Sequence, residues 1–90
     1  MYKILVITTA GCEACEIAIN NIKEAINQAT SDIEIETKDF KEVPKDFIKR
    51  NGIKDFPAIF YLTSNVVKFK CIGTYPVAVF LRWIDIHFKK

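Results

Sequence analysis

Apolar and polar positions fall into blocks along the chain, and each block has the period of one kind of element. Ile4 to Thr8 is an apolar run, as expected of a central strand buried on both faces. Residues 13 to 29 then place Ala18, Ile19, Ile22, Ala25, Ile26 and Ala29 at helical spacing. Ile33-Glu34-Ile35-Glu36-Thr37 alternates strictly, which is the pattern of an edge strand with one wet face. Pro44 suits the first turn of a short helix and Gly52 its stop, with Phe47 and Ile48 on the buried side. Ala58 to Leu62 is again wholly apolar, and Thr63-Ser64-Asn65 reads as a turn. Val67, Phe69 and Cys71 alternate with Lys68 and Lys70 as a second edge strand. Thr74 is placed to cap a last helix, with Pro76 tolerated in its first turn and Val77, Phe80, Leu81, Ile84 and Phe88 facing inward.

The order is β-α-β-α-β-β-α, an α/β class with a four-stranded mixed sheet flanked by three helices. Two strands joined by a long helix are expected to be parallel with a right-handed crossover. Two strands joined by a three-residue turn are expected to be antiparallel. Burial puts the two all-apolar strands in the middle and the two alternating strands at the edges. The pattern shows no repeat, linker or low-complexity segment.

Ninety residues, read as one domain over residues 1–90, can bury a modest core without disulfide staples or a structural metal. Half the residues are hydrophobic and 27% are charged, a globular composition. The net charge of +2 is too small to point to nucleic acid or an anionic membrane as a partner. The lysines at 38, 41, 45, 49 and 54 are interleaved with Asp39, Glu42, Asp46 and Asp55, which reads as a solvated surface. The apolar run after Lys3 is too short for a signal peptide, and no run is long enough to span a membrane. The chain as given therefore reads as cytoplasmic. Three cysteines are an odd and small set for a secreted disulfide scaffold.

Two of those cysteines form Cys12-Glu13-Ala14-Cys15, where the first apolar run gives way to the first helix. Thiols at i and i+3 on one helical turn face the same way, so they can close and open a disulfide with little backbone movement. The expected topology brings two distant stretches to the same rim, Phe56-Pro57 before the third strand and Ile72-Gly73-Thr74 after the fourth.

With Gly52-Ile53-Lys54-Asp55-Phe56-Pro57 and Ile72-Gly73 at these distances from the Cys motif, the chain resembles the thioredoxin and glutaredoxin superfamily over nearly its whole length. It is of glutaredoxin size, lacking the N-terminal strand and helix of full thioredoxins. The resemblance implies a cis bond between Phe56 and Pro57, with the Phe56 backbone turned toward the thiols. It implies Cys12 and Cys15 as catalytic residues, with Glu13, Ala14, Phe56, Pro57, Ile72, Gly73 and Thr74 contacting substrate. It implies a disulfide-containing protein as substrate and a thiol or flavoprotein as reductant, with no cofactor in the protein itself.

The chemistry expected of that pair follows. Cys12 at the helix start meets unsatisfied N–H groups and the positive end of the dipole, which favours its thiolate by roughly 0.3–1 kcal/mol. Cys15, one turn further in, is expected to be more buried and to stay protonated longer. Glu13 opposes Cys12 ionisation by about 1 kcal/mol or less at a wet surface, so its replacement by Gln should favour the thiolate. A strong oxidant stabilises its thiolate heavily, so Glu13 points to a reductase.

The chain departs from the family in four places. Glu-Ala stands between the cysteines where thioredoxins have Gly-Pro, and Gly11 precedes them in place of an aromatic residue. Val6 fills the strand position of a buried aspartate. Ile72-Gly73-Thr74-Tyr75 differs from the Gly-Gly-x-Asp of glutaredoxins, which disfavours glutathione as reductant.

Two other function classes fit the residues. One is a binding module that uses the same rim without turnover. The other is metal handling, with Cys71 and His87 joining the two thiols; both are isolated, whereas structural zinc ligands come in close pairs. Cys71 otherwise reads as a small apolar residue beside Val67 and Phe69, and His87 as solvated near Lys89 and Lys90. Val79, Trp83 and Ile86 form a second apolar row on the last helix, read as packing against a sheet edge or, alternatively, as a weak dimer surface.

Overall fold

The computed structural model describes residues 1–30 and 32–88, so Lys89 and Lys90 lie outside the described residues. Strand β1 (Tyr2–Thr8) leads into helix α1 (Glu13–Gln28) and strand β2 (Ile33–Asp39). A short 3-10 turn (Phe40–Glu42) and helix α2 (Lys45–Arg50) then precede the hairpin of β3 (Ala58–Thr63) and β4 (Val66–Ile72). Helix α3 (Val77–His87) ends the fold.

The sheet order is β2-β1-β3-β4. The apolar strands are central and the alternating strands are at the edges, as burial required. β1 and β2 are parallel, with Tyr2 opposite Ile33 and Thr8 opposite Asp39. β3 runs antiparallel to both β1 and β4, so Ala58 lies between Ile7 and Ile72.

Because β1 and β3 are covered on both sides, their residues divide by parity between two cores. Ile4, Val6, Ile59 and Tyr61 meet Ala18, Ile22 and Ala25 of α1 and Phe80, Ile84 and Phe88 of α3. Ile7, Ala58, Phe60 and Leu62 meet Val43 and Ile53, with Phe40, Phe47, Ile48 and Phe56 against them. Thus α1 and α3 share one face and α2 covers the other. The buried Tyr61 hydroxyl donates to the Phe80 carbonyl at 3.1 Å, tying β3 to α3 and satisfying the one polar atom of that ring.

The alternation in β4 is interrupted. A register shift between Tyr61 and Leu62 pairs Phe69 with Tyr61 but Val67 with Leu62. Phe69 and Cys71 therefore pack on the α1–α3 core while Val67 does not join them and stays 39% exposed. The extra residue of a bulge flips the parity of everything beyond it, which strict alternation could not anticipate. Helix α3 also begins differently from expectation. Pro76 is its N-cap, with no side-chain cap, and Thr74 is engaged elsewhere.

Candidate active site

β1 ends at Thr8, and the chain turns through Gly11 to reach α1. Gly11 has φ +69°, the left-handed region that glycine enters without Cβ strain. Cys12 is the N-cap of α1, and its Sγ accepts a hydrogen bond from the Cys15 N–H at 3.1 Å. Its carbonyl accepts from the Glu16 N–H at 3.4 Å. Cys12 and Cys15 are joined as a disulfide across a Cα–Cα distance of 5.2 Å. Cys12 is half-buried, whereas Cys15 is 3% exposed, so one sulfur of the pair faces solvent and the other faces the core. No charged side chain is buried among the described residues, and Val6 of β1 is fully buried in the α1–α3 core.

The two other rim segments arrive at the same place. The Phe56–Pro57 bond is cis, as the resemblance implied. Pro57 is buried, and its carbonyl accepts from the Gly73 N–H at 2.9 Å. Gly73 has φ +114°, and Ile72 beside it is 40% exposed. Thr74 Oγ1 donates to the Ala14 carbonyl at 2.8 Å, which latches the β4–α3 loop onto the first turn of α1. This bond, across sixty positions of sequence, replaces the helix cap expected of Thr74. The ring of Phe56 packs against Phe40 on the α2 face, 5.4 Å between centroids, so only its backbone belongs to the rim.

Two residues that hold this rim carry no sequence motif. Asn21 Nδ2 donates to the Tyr75 carbonyl at 2.9 Å, and the Tyr75 hydroxyl donates to the Ile72 carbonyl at 3.0 Å. A polar residue set between Ala18 and Ile22, on the edge of the buried stripe of α1, was the available signal for Asn21. For Tyr75 there was none.

A cleft of about 360 Å³ lies beside the disulfide, lined by Thr8, Thr9, Cys12, Glu13, Cys15 and Glu16 among others. Glu13 and Glu16 are exposed on the first turn of α1. Neither takes part in an ion pair among the described residues, where Glu36 is the carboxylate that binds Lys3 and Lys38. A larger apolar groove of about 540 Å³ under α2, between Phe40, Val43, Ile48 and Ile53, contains no thiol.

Cys71 is a free thiol opposite Ile59 in β4, half-buried against the α1–α3 core, and burial pushes its pKa up to about 11. His87 is not simply solvated. Its ring stacks on Phe69 at 4.5 Å and meets Tyr61 edge-on at 6.3 Å. Among the described residues no group of three or more His, Cys, Asp and Glu side chains could hold a metal ion. In the second row of α3, Trp83 packs against Phe69 of the sheet edge at 4.8 Å and against Tyr75 at 5.0 Å, while Ile86 is 49% exposed. Trp83 thus follows the sheet-edge reading.

No protein-family model matches the sequence, and no curated protein matches it. Solved structures do match. Thioredoxin-2 of the malaria parasite superposes with a TM-score of 0.78 at 14% identity, over 97% of this chain and 84% of its own. Chloroplastic thioredoxin z gives 0.78 at 14% identity, over 100% of this chain and 80% of its own. A mutant thioredoxin from Halobacterium salinarum gives 0.79 at 11% identity, over 99% and 76%. The chain therefore has the thioredoxin fold, with a Cys-x-x-Cys disulfide at the start of its first helix.

Proposed function

We propose that the protein is a thiol–disulfide oxidoreductase that reduces protein disulfides through Cys12 and Cys15. The observation that carries this reading is the asymmetry of the pair, with Cys12 at the open end of α1 and Cys15 beneath it. Exchange needs one thiolate that a disulfide can reach and a second thiol that can displace it.

In the reduced protein the Cys12 thiolate attacks one sulfur of the substrate. The substrate S–S bond breaks, one half leaves as a thiolate, and a mixed disulfide remains on Cys12. Cys15 then releases its proton to solvent and attacks Cys12 Sγ. The Cys12–substrate bond breaks, the second half leaves, and two electrons have passed from the dithiol to the substrate. The product is the Cys12–Cys15 disulfide. An external thiol or a flavoprotein resets the pair, and a reducing compartment, the cytoplasm, suits a catalytic use of it. The backbone at Phe56, with Pro57, Ile72, Gly73 and Thr74, offers the surface on which substrate lies, and Glu13 and Ala14 border it.

The test is reduction of insulin by dithiothreitol with catalytic amounts of the protein. Acceleration that Cys12→Ser abolishes supports the reading, as does a mixed disulfide that accumulates on Cys12 in the Cys15→Ser variant. No acceleration by the unaltered protein overturns it.

A further inference from the structure

We infer that the cleft beside Cys12 selects positively charged disulfides, and that Glu13 and Glu16 set this selection; the inference rests on the reductase reading above and names its substrate class. Both carboxylates line the cleft that also contains Cys12 and Cys15. They stand three residues apart on one turn of α1, so they act on the same volume. Neither is neutralised by an ion pair among the described residues. A substrate that presents its sulfur to Cys12 brings its own substituents under this field.

Two opposing charges are present, and both are smaller or more distant. The N-terminus of α1 carries an effective charge of roughly +0.5, against two full negative charges on its first turn. The Cys15 N–H of that end is already engaged by Cys12 Sγ. The whole chain is +2, which by itself would draw anions. A preference for cations would therefore come from the local pair and not from the net charge. At low salt, attraction of a dication and repulsion of a dianion by two carboxylates combine to roughly tenfold or more in rate.

The experiment uses the reduced full chain in single turnover, freed of excess reductant. Formation of the Cys12–Cys15 disulfide is followed by acid quench and mass-shifting alkylation. Three small substrates differ in charge: cystamine is a dication, bis(2-hydroxyethyl) disulfide is neutral, and dithiodiglycolate is a dianion. The expected order is cation, then neutral, then anion, spanning roughly tenfold at low ionic strength. It should contract toward unity in about 1 M salt, where the Debye length is about 3 Å. The double variant Glu13→Gln, Glu16→Gln should lose the spread, whereas Glu24→Gln, an exposed carboxylate further along α1, should keep it. Equal rates for all three substrates, or a spread that survives in the double variant, overturn the inference while leaving the reductase reading intact. If even the neutral disulfide is not reduced, the reductase reading falls and this inference with it.

Discussion

Gly73 holds the rim together at a backbone angle that side chains resist. At φ +114° an added Cβ would find only the Tyr75 ring, 3.8 Å away, so the penalty of Gly73→Ala comes from the backbone and not from collision. We expect about 1–3 kcal/mol of destabilisation, read as a lower urea midpoint of the oxidised protein. An unchanged midpoint would show that the loop relaxes freely. Cys71 is governed by burial instead. With its pKa near 11, about one thiol in a thousand is ionised at pH 8. In the reduced protein an alkylating agent at that pH should label Cys12 well before Cys71, as peptide mapping would report. The sign for stability follows from the same shift. The folded state holds this thiol neutral, so its contribution is full below the ordinary value of 9.0 and is lost as pH rises from there to about 11. Cys12, Cys15, Pro57 and Gly73 were readable in the sequence because each belongs to a spaced motif. Asn21 and the Thr74 latch were not, because each donates to a carbonyl more than fifty positions away, and Tyr75 was not, because its hydroxyl bonds a carbonyl three residues back with no motif to mark it.

Among the elements, the strands were the most legible and α3 the least. An all-apolar strand has to be covered on both sides, and β1 and β3 are. Period alone could not show the bulge in β4, since its cause is pairing and not composition. Nor could it show His87 within the ring cluster, because a histidine at a chain end reads as polar until Phe69 is placed beneath it. In helix α3 Phe80 is fully buried, its ring meets those of Tyr75 and Trp83, and its carbonyl accepts from the Tyr61 hydroxyl. Phe80→Ala should cost about 3–5 kcal/mol, measured by chemical denaturation, since the ring's volume cannot be refilled by its neighbours. A loss under about 1 kcal/mol would mean that α3 repacks as a unit.

The molecule as a whole keeps the thioredoxin fold at 11–14% identity to its structural neighbours. Patterning and total core volume specify such an arrangement, and individual core residues can change widely within it. No helix among the described residues is long and apolar enough to cross a membrane. The parts meet at the rim, where one hydroxyl links the first turn of α1 to the loop before α3. Thr74→Val should cost about 0.5–1.5 kcal/mol and raise amide exchange in that loop, seen by mass spectrometry. Exchange identical to that of the unaltered protein would show that the linkage through Asn21 suffices. The sulfur on which α1 begins is also the atom that the proposed exchange oxidises and reduces. A disulfide sulfur is a feeble acceptor, and a thiolate is an anionic one. Opening the bridge would therefore hand the Cys15 amide in the first turn of α1 a stronger partner, so in the proposed cycle the backbone itself registers whether the protein is charged with electrons or spent.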